Sequence, residues 1–167
     1  MKTFVIADPH FGHKNIIRYC NRPFESVSEM DKALINNWNK TVSNDDIIWV
    51  LGDFALASSD YTKSIIKSLR GRKRLILGNH DRYSQKWYRE AGFEFVSPYS
   101  IILQDFIVLS HAPLEFMNTN CPFFNIYGHV HDDLRYEDLT MNSACVSVER
   151  IGYKPIELDK IMRKVRL

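Results

Sequence analysis

Ile47-Ile48-Trp49-Val50-Leu51-Gly52-Asp53 is a run of five apolar residues followed by a glycine and a carboxylate. The run is too short for a globular helix and has no polar alternation. That pattern marks a strand buried on both faces. The break at Gly52 puts the Asp53 carboxylate at the strand's C-terminal end. Phe4-Val5-Ile6-Ala7 likewise ends at Asp8, Leu75-Ile76-Leu77 at Gly78-Asn79-His80-Asp81, and Phe106-Ile107-Val108-Leu109 at Ser110-His111. Phe124-Asn125-Ile126-Tyr127 leads into Gly128-His129-Val130-His131. Open α/β folds place their chemistry beyond the carboxyl ends of strands, and every one of these runs stops at a polar residue that can ligate.

Helix signals lie between the early runs. Ser28-Glu29-Met30-Asp31 has the form of a capping box ahead of Met30, Leu34 and Trp38 on one face. Ser59-Asp60 predicts a cap for a helix carrying Ile65, Ile66 and Leu69, with Gly71 as its stop. Ser84 opens a shorter helix that ends at Gly92. Beyond Asp81 strands crowd together, at 93–96, 99–103, 106–109, 124–127 and 142–148. Strand–helix alternation followed by strands predicts an α/β (α+β) architecture of two packed mixed sheets flanked by helices, a four-layer sandwich formed by one domain over 1–167.

A chain of 167 residues can bury a substantial core, and 22 Lys and Arg against 20 Asp and Glu give a charge of +2, which does not mark an obligate nucleic-acid binder. The start of the chain lacks the pattern of a signal peptide, and no apolar stretch is long enough to span a bilayer. Cys20, Cys121 and Cys145 are widely spaced and outside any C-x-x-C pattern, as in a reduced cytoplasmic protein without a thiolate metal site. The basic run Arg70-Gly71-Arg72-Lys73-Arg74 reads as a solvated turn. Aromatic residues serve the core, with Phe123 and Phe124 as candidates for stacking a base.

Six histidines carry the chemical signal: His10, His13, His80, His111, His129 and His131. Two neighbouring divalent ions need about four protein ligands each, with an anionic oxygen between them to reduce their repulsion. Asp8, His10, Asp53, Asn79, His111, His129 and His131 supply imidazole, carboxylate and amide donors at strand ends. His129 and His131 suit either one ion or one each.

The ordered series Asp8-x-His10, Gly52-Asp53, Gly78-Asn79-His80-Asp81, Ser110-His111 and Gly128-His129-x-His131 resembles the calcineurin-like metallophosphoesterases. The stretch 8–24 is similar to a small bacterial and phage branch of that family. The resemblance assigns Asp8, His10, Asp53 and His131 to a first metal. It assigns Asp53, Asn79, His111 and His129 to a second. The implied ions are manganese, iron, zinc or nickel. It makes His80 the catalytic histidine, which stabilises the transition state or protonates the leaving group, and Asp81 the residue that orients it. Hydrolysis by a metal-bridging hydroxide is implied, with phosphodiesters favoured over phosphomonoesters because so short a chain leaves little room for a cap. Nucleotides and nucleic acids are among the candidate substrates. His13, Arg22 and Asn79 are candidates for substrate contact, Arg22 also for supporting the core. The alternative is a phosphoesterase fold that acts by binding protein partners, disfavoured because each ligand position and His80 are intact. A metallo-β-lactamase reading of His129-Val130-His131-Asp132-Asp133 fails at Leu134, where that group's motif requires histidine.

Overall fold

The computed structural model describes residues 1–114, 123–138 and 140–165. The first sheet holds β1 (Thr3–Ile6), β2 (Ile47–Leu51), β3 (Arg72–Ile76), β4 (Phe95–Ser97) and β9 (Ile156–Glu157), in the order β4-β3-β2-β1-β9. Strands β1 to β4 run parallel, and β9 pairs antiparallel with β1. The second sheet orders β5 (Ile101–Leu103), β6 (Ile107–Leu109), β7 (Phe124–Tyr127) and β8 (Ser143–Cys145) in sequence. Its β5–β6 pair is antiparallel and the others parallel. Both sheets are therefore mixed.

The continuous apolar runs follow from burial on both faces. Phe4, Ile6, Ile48, Val50 and Leu75 pack with Met30, Leu34 and Trp38 of α2 (Val27–Thr41) and with Ile65 and Ile66 of α3 (Ser59–Ser68). Their strand neighbours Val5, Ala7, Trp49, Leu51 and Ile76 face the other way, into a core shared with Ile107, Leu109, Phe124 and Ile126 of the second sheet. Strand residues alternate in direction, so one run serves two cores. Helix α5 (Leu158–Val165) adds Leu158, Ile161 and Met162 to the core between the sheets. The sheets are stitched where the site begins: Ala7 N–H donates to Val146 O at 2.9 Å and Val148 N–H to Ala7 O at 3.1 Å. Among the described residues no helix is long and apolar enough to cross a membrane.

Several local expectations shift. The cap of α2 is Ser26, whose side chain accepts from Glu29 N–H, so the helix starts earlier than the Ser28 box implies. Glu29 also reaches back to accept from Glu25 N–H at 2.8 Å, one residue before the cap. Ser58, not Ser59, caps α3. The cap of α4 (Gln85–Ala91) is Ser84, as expected. A short helix α1 (Lys14–Tyr19) had no clear sequence signal. The basic run turns only at Arg70-Gly71, and Arg72, Lys73 and Arg74 open β3. Arg72 pairs with Glu94 at 2.9 Å, Lys73 Nζ donates to Leu69 O and Gly71 O, and Arg74 lies 5.3 Å from the Trp49 ring centre. Local partners thus absorb charges that sequence alone left free. Phe124 is buried in β7, which removes it as a base-stacking residue. Cys20 and Cys145 are free and buried, and Cys121 lies outside the described residues.

The cap assignment has a direct consequence. Ser26→Ala is expected to cost about 1 kcal/mol in urea unfolding, and Ser28→Ala less than about 0.5 kcal/mol. Equal losses would contradict the observed cap.

Candidate metal centre

The site begins where the parallel strands stop, and there the backbone turns left-handed. Asp8 (φ 56°), His10 (52°), Asp53 (53°), His129 (72°) and His131 (49°) all have positive φ. Such a conformation costs a non-glycine residue on the order of 1–2 kcal/mol, so the surrounding fold must impose it. It breaks the strand alternation and lets residues from separate strand ends converge.

Asp8, His10 and His131 offer donor atoms within 4.8 Å of one another. Asp8 and His10 are buried, yet Asp8 Oδ1 and His10 Nε2 have no hydrogen-bond partner. The other Asp8 oxygen accepts from Ser147 Oγ at 2.6 Å and from His129 N–H at 2.8 Å, so Oδ1 is the oxygen left over. A buried polar atom left unmatched costs about 1–3 kcal/mol. A cation between the two orphaned atoms would satisfy both.

A second group lies alongside. Asn79 Oδ1 is 2.9 Å from His111 Nε2 and 3.0 Å from His129 Nδ1, and those nitrogens are 3.1 Å apart. Donors about 2.1 Å from a tetrahedral ion stand roughly 3.4 Å apart, so this spacing needs little expansion to hold one. Asp53 spans both groups: Oδ2 is 3.5 Å from His10 Nε2, and Oδ1 is 3.7 Å from His111 Nε2. His129 and His131 thus separate, one to each group. In the first group Asp8 and His10 are buried and His131 is half-buried, whereas Asn79 and His129 of the second are exposed. Imidazoles, carboxylates and one amide, without a thiolate, fit the borderline divalent metals.

Gly52 and Gly128 are among the glycines this convergence needs. A Cβ on Gly52 (φ 86°) would fall on His111 Nδ1. One on Gly128 would fall on Ala7 and come within 2.6 Å of Asp8 Oδ2.

His80 is half-buried at the rim, with its ring centre 5.4 Å from that of His10 and 6.3 Å from that of His13. Its backbone N–H donates to Asp53 Oδ1 at 2.8 Å, which ties the histidine loop to the spanning carboxylate. Asp81 accepts from Asp53 N–H (2.9 Å), Phe54 N–H (3.0 Å), Gly78 N–H (2.8 Å) and Tyr88 Oη (3.0 Å). Its hold on His80 therefore runs through the loop backbone. Burial, reinforced by the Asp53 charge, pushes the Asp81 carboxyl upward. His13 Nδ1 lies 3.4 Å from His10 Nδ1, and burial with the neighbouring His80 lowers its basicity. Burial also holds His10 well below the usual imidazole range, so it presents a neutral nitrogen. Burial and the adjacent His111 lower His129 as well.

Arg22 is turned inward, with its side chain buried against Glu149 and donating to Asp8 O and Pro9 O. This is the core-supporting alternative, and it takes Arg22 away from substrate. Sequence reasoning missed Ser147 and Glu149, which face Asp8 and His131; their only signal was polarity within the apolar closing segment 144–148 and just after it. Cys20, His131 and Glu149 also bring donor atoms within 4.8 Å of one another. The Arg22 guanidinium, 2.7 Å from Glu149 Oε1, supplies the positive charge there and opposes a further cation.

The sequence profile of the calcineurin-like phosphoesterases matches residues 1–161. The chain belongs to the calcineurin-like phosphoesterase family. Its relatives include an uncharacterized protein, MJ1445, of Methanocaldococcus jannaschii, 37% identical over 98% of this chain and 91% of that protein. The Gene 66 protein of Mycobacterium phage L5 is 42% identical over 47% of this chain and 39% of its own length. Among solved structures, the protein of unknown function AQ665 from Aquifex aeolicus superposes with a TM-score of 0.73 and 26% identity, covering 98% of each chain. An archaeal phosphodiesterase shares the fold at a TM-score of 0.50 and 16% identity, over 88% of this chain and 82% of that one. The two mixed sheets flanked by helices are thus the architecture of calcineurin-like phosphoesterases.

Protonation gives a test of the first group. Burial alone would disfavour a charged His131, but hydrogen bonds with Cys20 and Glu149 and the Asp8 charge raise it to about 11. Burial raises Asp8 to about 6, against the opposing charges of His131 and His111. A metal-free His131 is therefore protonated at neutral pH, and an incoming cation must displace that proton. Metal uptake is expected to release about one proton at pH 7 and to weaken as pH falls from 7 to 6. Calorimetric titration in buffers of different ionisation enthalpy measures this; a heat independent of buffer would contradict it.

Proposed function

We propose that this calcineurin-like phosphoesterase is a binuclear metal-dependent phosphodiesterase. The observation that carries the proposal is Asp53, which offers one carboxylate oxygen to each donor group. Asp8, His10, Asp53 and His131 would hold the first ion, and Asp53, Asn79, His111 and His129 the second, drawn from manganese, iron, zinc or nickel. Such ions, when bound, supply hydroxide at neutral pH and neutralise phosphate oxygens.

The chain's own residues do the rest. The exposed side of the second group, at Asn79 and His129, is the approach for a phosphate ester, which the Asn79 amide would orient. His80, above the first group, is placed to donate to a phosphoryl oxygen or to the leaving oxygen as negative charge develops. His13 lies beside it on the same rim. No serine or cysteine nucleophile is required, so no covalent intermediate forms. The inward turn of Arg22 removes a cation that a dianionic monoester would use, which favours the singly charged diester. Nucleotides and nucleic acids supply such diesters.

The metal-free protein should be reconstituted with single metals and assayed on a chromogenic diester, a chromogenic monoester, cyclic nucleotides and single-stranded nucleic acid. Diester turnover should appear only with metal and exceed monoester turnover. Asp53→Asn should abolish it, and His80→Ala should lower kcat about 100-fold or more while metal uptake persists. Undiminished turnover in Asp53→Asn would refute the binuclear assignment. Undiminished turnover in His80→Ala would remove His80 from the chemistry.

A further inference from the structure

Glu149 belongs to none of the motifs that mark the metal centre, yet its side chain is only 6% exposed and points at that centre. Its Oε1 lies 3.1 Å from His131 Nδ1 and accepts from Arg22 Nε at 2.9 Å. The remaining Arg22 donors reach Asp8 O at 2.8 Å and Pro9 O at 2.9 Å. One buried ion pair therefore touches the His131 ring directly and, through Arg22, the main chain that carries Asp8 and leads to His10. None of these contacts reaches Asn79, His111 or His129.

The chemistry of that arrangement is specific. A carboxylate bonded to one imidazole nitrogen fixes the ring's orientation and tautomer and leaves the opposite nitrogen to ligate. Here Nδ1 is occupied by Glu149, so Nε2 is the atom His131 presents to Asp8 and His10. Restraint matters because His131 and Asp8 both sit in left-handed backbone and come from loops far apart in the chain. The pair also balances charge. Without Glu149 the buried Arg22 guanidinium would stand unpaired beside a site built for cations, and would repel one.

We propose that Glu149 is a positioning residue for the first metal ion alone. It aligns His131 directly and, through Arg22, holds the Asp8-Pro9-His10 turn, while the Asn79, His111 and His129 group assembles without it. The inference rests on the binuclear reading of the site.

The test is calorimetric titration of metal-free wild type, Glu149→Gln and Glu149→Ala with manganese, alongside cobalt titrations followed by visible absorption. Glu94→Gln, which breaks the surface pair with Arg72, serves as the control. Wild type and control should take up two equivalents. Glu149→Ala should keep one at wild-type affinity and weaken the other about 10-fold to 100-fold. Glu149→Gln retains an acceptor for His131 but not the charge, and should fall between. In the cobalt spectra only one of two absorbing environments should change. Equal weakening of both equivalents, or wild-type affinity for both in either variant, would overturn the proposal. Should Glu149→Ala fail to fold, Glu149→Gln alone decides on the same criteria. Wild type binding fewer than two equivalents would instead remove the binuclear reading, and this inference with it.

Discussion

The buried, orphaned atoms Asp8 Oδ1 and His10 Nε2 place the strongest constraint on this structure. Folding withdraws them from water and gives them no protein partner. Asp8, His10, Asp53, His129 and His131 all adopt left-handed backbone, a further local cost. Two packed sheets hold the strand ends rigidly against these penalties, and a divalent cation bound there would satisfy both atoms. The apolar runs of β1, β2 and β3 supply the rigidity, with each strand burying one face against helices and the other against the second sheet. Fold and chemistry meet at Ala7, where hydrogen bonds to Val146 and Val148 lock the two sheets one residue before Asp8.

Around the ligands, the carboxylates divide into two kinds. Asp8 and Asp53 keep oxygens directed at the centre. Asp81 and Asp31 instead grip backbone: Asp81 clasps the loops after β2 and β3, and Asp31 accepts from Gly12 N–H and Tyr61 Oη beside the His10–His13 turn. Glu149 stands between the kinds, since it contacts the His131 ring and the arginine that holds the Asp8-Pro9-His10 turn. The centre is thus supported from beneath and open above, where Asn79 and His129 meet solvent.

Much of this was legible in the sequence because the signals were covalently local. An apolar run that stops at Gly52-Asp53 or Gly128-His129 reveals a doubly buried strand and the ligand at its end without knowledge of the rest. The ordered motifs then supplied the pairing of remote residues that no single segment contains. What escaped was decided by tertiary contact. Ser26 rather than Ser28 caps α2, because both serines satisfy local capping chemistry and only packing of Met30, Leu34 and Trp38 sets the helix start. Arg72 and Arg74 read as part of a turn because their partners Glu94 and Trp49 lie on other segments. Arg22 had two readings until the structure turned it inward. Ser147 and Glu149 were silent because their partners are remote: Asp8 is 139 residues from Ser147, and Arg22 and His131 are 127 and 18 residues from Glu149.

The central claim is spatial, and diffraction from crystals grown with manganese tests it most directly. Anomalous difference maps should show two peaks about 3.5–4 Å apart. One should lie among Asp8, His10 and His131, the other among Asn79, His111 and His129, with Asp53 between them. A single peak, or manganese located away from these side chains, would contradict the account.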